Sequence, residues 1–227
     1  MAFQYSRRAL KPALASWYKP STSSKICTAE IAPARLVEHR TEGCLDPDGG
    51  APVPLGQESR IAEITHNRKT IQTRGRPPAI GSKAPDFKLT PSDLTDVGLA
   101  SFGARRKILN VVPSLDTGVC VTSVRRFDAE AADFLNVAVL TISNDLPFAQ
   151  KRFCEAEGIR NIVTLSQVRS RDFGAAYGVE IADGTLAGLL SRAVVVLDEH
   201  NKVLYTEQVP EIEKEPSYER ALAAALK

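Results

Sequence analysis

Residues 108–127 read ILNVVPSLDTGVCVTSVRRF, an apolar run followed by turn-forming residues and then a periodic helical stretch. The run Ile108 to Val112 predicts a strand that is buried on both faces. The next eight residues, 113 to 120, contain proline, aspartate and glycine, which favour a turn. Residues 119–134 predict an amphipathic helix, because their apolar side chains recur at spacings of four and three. The pattern therefore predicts a strand, a turn and a helix, with Cys120 in the first turn of the helix.

Cys120 occupies a position where a thiol is activated. The positive end of a helix dipole and its unpaired N–H groups favour the thiolate, which is the nucleophilic form of cysteine. A buried structural cysteine is the alternative, and it is the commoner one for a single cysteine. The preceding turn and the hydroxyl of Thr117, three residues earlier, favour the functional interpretation.

The rest of the chain beyond Cys120 alternates between strands and helices. Strands are predicted at 137–142, 162–165, 192–197 and 203–208, and helices at 147–157 (with Asp145 as N-cap), 171–177 and 217–226. Parallel strands with helical crossovers, then a hairpin and a last helix, predict an α/β thioredoxin-like fold, a central mixed sheet flanked by helices. Two short strands are also expected upstream, at 87–89 and 97–100.

The N-terminal part of the chain has a different composition. Residues 1–58 are rich in proline, serine and glycine without a sustained period, which predicts a disordered N-terminal extension. A β-hairpin at about 61–74 and the thioredoxin-like domain at about 78–227 are predicted to follow. The first 25 residues carry five basic and no acidic residues, as organelle transit peptides do, but lack the apolar core of a secretory signal. Cys27 and Cys44 lie in this extension and are interpreted as incidental.

Composition and spacing exclude several classes of function. A net charge of +2 gives no electrostatic case for nucleic acid, and no apolar stretch is long enough to span a membrane. The four cysteines form no C-x-x-C pair, and the three histidines are far apart in sequence, so metal-site spacing is absent. We therefore expect neither a metal nor a nucleic-acid or membrane partner.

The stretch PSLDTGVC resembles the Pro-x-x-x-Thr-x-x-Cys signature of the peroxiredoxins. Its form PS-x-DTGVC, followed by SVRRF, is similar to the bacterial thiol peroxidase subfamily, as are SNDLPFAQKRFCEAEG, YGVEIADG and SRAVVVLDE. The similarity covers about residues 60–227 and includes the hairpin, so residues 59–227 are identified as a thiol peroxidase unit. This resemblance implies an enzyme, a thioredoxin-dependent hydroperoxide reductase of the atypical two-cysteine type.

The resemblance also implies a role for five residues. Cys120 would be the peroxidatic cysteine, whose thiolate attacks the peroxide and becomes a sulfenic acid. Thr117 would hydrogen-bond the thiolate and the peroxide, and Pro113 would shield the sulfenic acid from water. Arg192 would supply a fixed cation that favours the thiolate and polarises the peroxide. Cys154 would be the resolving cysteine and form a disulfide with Cys120 in the same chain, which requires at least one helix to unwind partly.

Each of these residues has a simpler structural interpretation. Arg192 is then a surface residue of its strand, Thr117 a helix cap, Pro113 a strand terminator and Cys154 a half-buried apolar thiol. Nearby, Asp116 is expected to hold the turn by accepting backbone N–H groups. Arg125 and Arg126 are expected on a solvated helix face.

Two other functions on the same fold remain open at this point. One is a thiol–disulfide exchange protein, although Thr117 stands where the first cysteine of its usual C-x-x-C pair would be. The other is a peroxide-sensing redox switch, in which oxidation of Cys120 changes binding.

The resemblance further implies substrates, partners and a location. Hydrogen peroxide and alkyl or lipid hydroperoxides would be the substrates, with an apolar surround from Leu115, Val119 and residues 186–190. Thioredoxin would be the reductant, the chain would form a homodimer, and no haem, flavin or other cofactor is needed. The cytoplasm is the expected location, with an organelle as the alternative that the basic N-terminus suggests.

Overall fold

The computed structural model describes residues 61–227, so the predictions for residues 1–58, Cys27 and Cys44 included, lie outside the described residues. The described part begins with the predicted hairpin, formed by β1 (Ala62–His66) and β2 (Lys69–Thr73). Asn67 and Arg68 at its turn have φ angles of 51° and 63°. Two consecutive positive φ angles are typical of the two-residue turns whose twist matches that of the flanking strands.

A five-stranded mixed sheet lies at the centre of the described chain. Its strands are β3 (Arg106–Val111), β4 (Val137–Ser143), β5 (Val163–Ser166), β6 (Ala193–Leu197) and β7 (Val203–Gln208). Their order is β5-β4-β3-β6-β7, with β3, β4 and β5 parallel and with β6 antiparallel to both β3 and β7. β3 is therefore the middle strand, and its carboxyl end lies between two neighbours.

Helices cover both faces of this sheet. They are α1 (Gly118–Ala131), α2 (Pro147–Glu157), α3 (Asp172–Ala176) and α4 (Tyr218–Leu226). On one face, Ile108 of β3 packs with Phe127 of α1 and Tyr218 of α4. On the other face, Leu109 of β3 shares a cluster with Phe173 of α3. The alternation of β3 side chains between two apolar layers explains why its sequence is a continuous apolar run.

Three local predictions are wrong or need new boundaries. Asp145 is not the N-cap of α2: Leu146 holds that position, and the Asp145 carboxylate accepts hydrogen bonds from another loop instead. The two short strands expected upstream reduce to one bridge between Leu89 and Val97, followed by a 3-10 helix (Leu99–Phe102). The Asp86 carboxylate accepts the backbone N–H groups of Phe87 and Leu99, so these two N–H groups do not pair with a neighbouring strand. Finally, α1 ends three residues earlier than predicted.

No helix within residues 61–227 combines the length and the apolar character needed to cross a membrane.

Candidate active site

Cys120 lies in the first turn of α1, directly beyond the carboxyl end of the middle strand β3. Its side chain is fully buried, in an apolar cluster with Val112, Leu115 and Val124. Carboxyl ends of strands are where sites form in open α/β sheets, because loops from neighbouring strands converge there. The fold thus places one buried thiol where several loops meet.

Two hydrogen-bond donors face the sulfur. The Thr117 hydroxyl Oγ1 donates to Cys120 Sγ over 2.8 Å, and Arg192 Nη2 donates to the same sulfur over 3.4 Å. Thr117 occupies the N-cap position of α1, but its hydroxyl bonds the sulfur instead of a helix N–H. A hydroxyl donor and a guanidinium both stabilise negative charge on an acceptor, so the site suits a thiolate.

Arg192 is held rigidly, because it is only 2% exposed and its Nε donates to the Ile212 carbonyl over 3.0 Å. The residue lies immediately before β6, beside the middle strand. Its third nitrogen, Nη1, is buried without a hydrogen-bond partner among residues 61–227. The guanidinium therefore offers one donor to the sulfur, and its Nη1 keeps an unused donor among the described residues.

Cys154 lies in the last turn of α2. Its Sγ is 3.9 Å from the Thr164 hydroxyl on β5, and burial raises the pKa of the Cys154 thiol. Both Cys120 and Cys154 are free thiols, and both contribute to the apolar cluster that contains Phe153. The structure therefore describes the reduced state, with the two cysteines on neighbouring helices.

The other candidate residues lie in the turn between β3 and α1 and in the loop before β6. Pro113 is buried in the turn after β3, where its missing N–H ends the ladder. Leu115 shares the cluster of Cys120, whereas Leu186 and Leu189 pack against the hairpin cluster. Asp116 is exposed, and the expectation that its carboxylate holds the turn is not met, because another carboxylate performs that task.

That carboxylate belongs to Asp145, a residue that sequence reasoning misassigned. It accepts the Leu115 N–H over 2.7 Å, the Ser114 hydroxyl over 2.8 Å and the Ser143 hydroxyl over 2.8 Å. The sequence carried a usable signal, since Asp145 follows the carboxyl end of β4, the strand next to β3. Polar residues at such positions converge on the same edge of the sheet.

The C-terminal end of α2 is tied to α1 by side chains of α1. Arg125 Nε donates to the Glu157 carboxylate over 2.6 Å. The Asp128 carboxylate accepts the N–H groups of Arg160 and Asn161 over 3.0 and 2.7 Å. Arg126 lies 4.7 Å above the ring of Tyr218. The face expected to be merely solvated thus connects α1 to its neighbours.

No cluster of three or more metal-ligating side chains is present among residues 61–227.

Residues 79–222 match the family model described as Redoxin. A thiol peroxidase from Mycobacterium bovis is 52% identical over 164 residues, which is 72% of this chain and 98% of that protein. The chain belongs to the thiol peroxidases of the redoxin family.

Solved structures share the fold of this chain. A peroxiredoxin-like protein from Aquifex aeolicus has a TM-score of 0.69 at 36% identity, covering 74% of this chain and 98% of its own. A thiol peroxidase from Chromobacterium violaceum shares the fold with a TM-score of 0.67 at 24% identity, over 71% of this chain and 93% of its own. The predicted family, the thioredoxin-like α/β fold and the assignment as a peroxiredoxin peroxidase are confirmed.

Proposed function

We propose that the chain reduces hydroperoxides through Cys120, with Cys154 as the resolving thiol and thioredoxin as the reductant. The observation that supports this most strongly is the position of Cys120 Sγ, 2.8 Å from Thr117 Oγ1 and 3.4 Å from Arg192 Nη2 in a buried site. A sulfur held by two fixed donors is stabilised as the thiolate, and the same donors can stabilise the oxygen that leaves a peroxide.

The first step is nucleophilic attack of the Cys120 thiolate on the terminal oxygen of the hydroperoxide. The S–O bond forms as the O–O bond breaks, and the leaving alkoxide or hydroxide takes up a proton to give an alcohol or water. Thr117 Oγ1, which no longer donates to the sulfur once the S–O bond forms, and the free Nη1 of Arg192 donate to the two peroxide oxygens. Pro113 covers the resulting sulfenic acid, which limits further oxidation.

Replacing Thr117 by Val should slow the oxidation of Cys120. Valine has the shape of threonine but no hydroxyl, and loss of a hydrogen bond to a charged group corresponds to about tenfold or more in rate. The rate of a single turnover with hydrogen peroxide measures the effect. Thr117→Ser is the matched control, because it keeps the hydroxyl and should retain most of the rate. Equal rates for the Val and wild-type proteins would contradict the role of Thr117.

The second step is attack of Cys154 Sγ on the Cys120 sulfenic acid, with loss of water and formation of the Cys120–Cys154 disulfide. Cα atoms of bonded cysteines lie within about 7 Å of each other, and we propose that the end of α2 unwinds partly to bring Cys154 to Cys120. Gly158, with φ of 71°, ends α2 four residues after Cys154, where fraying is easy. Leaving the apolar cluster also removes the burial that raises the pKa of the Cys154 thiol.

Replacing Asp128 by Ala should speed disulfide formation. Its carboxylate accepts two backbone N–H groups just beyond α2, so its loss should destabilise the packing of the α2 end on α1 by about 1–3 kcal/mol, which is roughly 5- to 150-fold in the opening equilibrium. The rate of disulfide formation after a peroxide pulse should rise, and over-oxidation at high peroxide should fall. Asp133→Ala, an exposed carboxylate just past α1, is the control. An unchanged or slower disulfide step in Asp128→Ala would count against this opening.

The third step is reduction of the disulfide by thioredoxin, which returns both thiols. A steady-state assay with hydroperoxide, thioredoxin and its reductase tests the proposed function. We expect sustained turnover; a peroxide-sensing switch would show one stoichiometric oxidation, and a disulfide exchange protein would show no peroxide requirement. A thiol pair that is recycled in this way works in a reducing compartment, so we propose the cytoplasm as the location.

Alkyl and lipid hydroperoxides, as well as hydrogen peroxide, are the proposed substrate class. Leu115 lines the cluster of Cys120, and Leu146 and Phe148, beside the Asp145 loop, are 53% and 66% exposed. This apolar surface beside the site also fits the proposed homodimer. Sedimentation at concentrations near those in the assay would test the dimer, and a monomer at all concentrations would reject it.

A further inference from the structure

Asp145 connects the turn before Cys120 to the loop before the helix of Cys154. Its Oδ2 accepts the Leu115 N–H, and its Oδ1 accepts the Ser114 hydroxyl. On the other side, the fully buried Ser143 donates its hydroxyl to Oδ2, and the buried Gln150 donates to Ser143 Oγ over 3.0 Å. The carboxylate is thus anchored by the end of β4 and the first turn of α2, and it holds the turn of residues 114–117.

That turn carries the hydroxyl that faces the sulfur. The Ser114 carbonyl lies 3.3 Å from Thr117 Oγ1, and the Ser114 hydroxyl accepts the Asp116 N–H over 3.2 Å. Asp145 therefore bonds directly to two successive residues of the turn, and one of them contacts Thr117. One polar route from the carboxylate to Cys120 Sγ runs through Ser114 and Thr117.

We infer that Asp145 is a positioning residue for the peroxide reaction, which holds the 114–117 turn so that Thr117 Oγ1 points at Cys120 Sγ. This inference rests on the proposed function, because it assigns a second residue to the same oxidation step. Asp145 touches neither the sulfur nor the peroxide and acts through Thr117. It also ties the loop that positions the peroxidatic cysteine to the N-terminal end of α2, while α2 opens at its other end.

Positioning and charge predict opposite effects when Asp145 is removed. A carboxylate near the site disfavours a thiolate by repulsion, so a purely electrostatic role predicts more thiolate and faster oxidation without it. A positioning role predicts less thiolate and slower oxidation, because the turn relaxes and the Thr117 hydrogen bond to sulfur is lost. The direction of the change therefore distinguishes the two roles.

The test uses Asp145→Ala and Asp145→Asn in the full chain with Cys27→Ser, Cys44→Ser and Cys154→Ser, so that only the oxidation of Cys120 is observed. We expect single-turnover oxidation by hydrogen peroxide to be about tenfold slower in the alanine variant, with a smaller thiolate absorbance at neutral pH. The asparagine variant keeps one oxygen acceptor and should fall between alanine and wild type. It also retains the fold if alanine does not, and circular dichroism checks both.

The matched control is Asp198→Ala. The Asp198 carboxylate also accepts two backbone N–H groups, those of His200 and Lys202, but in the β6–β7 turn outside the site. Its loss should leave the oxidation rate and thiolate absorbance unchanged.

A double-mutant cycle with Thr117→Val identifies the route of the effect. If Asp145 acts through Thr117, Asp145→Asn should slow oxidation much less in the Thr117→Val background than in the wild-type background. Additive losses, a rise in thiolate absorbance, or an unchanged oxidation rate in the Asp145 variants would each overturn the inference. Failure of the proposed function is recognised separately, since Cys120 would then remain unoxidised by peroxide in the protein that retains Asp145.

Discussion

Replacing Cys154 by Ser should leave one fast peroxide turnover and stop every later one. Cys120 keeps both donors in this variant, so the first oxidation proceeds at nearly the wild-type rate. The sulfenic acid then has no resolving thiol, and thioredoxin has no Cys120–Cys154 disulfide to reduce. Stopped-flow measurement of the first turnover, followed by the steady-state assay with thioredoxin and its reductase, separates the two phases.

Cys44→Ser is the matched control for this variant. It removes a cysteine that the account treats as incidental, so its steady-state turnover should equal that of the wild type. Sustained turnover in Cys154→Ser would show that another thiol resolves the sulfenic acid, and loss of turnover in Cys44→Ser would identify that thiol.

Replacing Arg192 by Met should slow Cys120 oxidation by about 100- to 1,000-fold, the range found when a donor to a developing anion is removed. The guanidinium Nε donates to the Ile212 carbonyl and Nη2 donates to the sulfur, and we propose that Nη1, which has no partner among residues 61–227, donates to the peroxide. Arg192→Lys keeps the charge but loses the planar fork, so we expect it to recover little of the rate. Single-turnover rates at several peroxide concentrations measure both variants.

The control for a general structural effect is Arg106→Met. Like Arg192, Arg106 donates to a backbone carbonyl, that of Ala225. It is partly buried and also donates to the Glu199 carboxylate. It lies at the amino end of β3, the opposite end from Cys120, so its loss should lower stability without slowing oxidation. If Arg192→Lys oxidised Cys120 as fast as the wild type, the requirement for a guanidinium at position 192 would be contradicted.

The sequence predicted those features that depend on local pattern. The apolar run of β3 is buried on both faces, and the turn with Cys120 at the helix start follows directly from PSLDTGVC. The contact between Arg192 and Cys120, which are 72 residues apart in the chain, was predicted from the family resemblance. No spacing rule brings the residue that precedes β6 to the start of α1. Its placement in the structure depends on β6 pairing with β3 in the sheet.

The misassigned features depend on tertiary partners. Asp145 followed by Leu-Pro has the local appearance of a helix cap, yet a neighbouring loop presents N–H and O–H donors that its carboxylate bonds instead. Arg125 is exposed, as expected, but its pairing with Glu157 depends on the packing of α2 on α1. Local capping and periodicity cannot report such contacts, since the competing partner is 30 residues away in the chain.

The central claim is that peroxide oxidises Cys120 and that Cys154 captures the product. The most direct measurement treats the fully reduced wild-type protein with one equivalent of hydrogen peroxide, blocks the remaining thiols and maps the cysteines by peptide mass spectrometry. We expect a Cys120–Cys154 linked peptide within one chain, with Cys27 and Cys44 recovered as blocked thiols. A stable sulfenic acid at Cys120 beside a free Cys154, or a disulfide of Cys120 with any other cysteine, would contradict it.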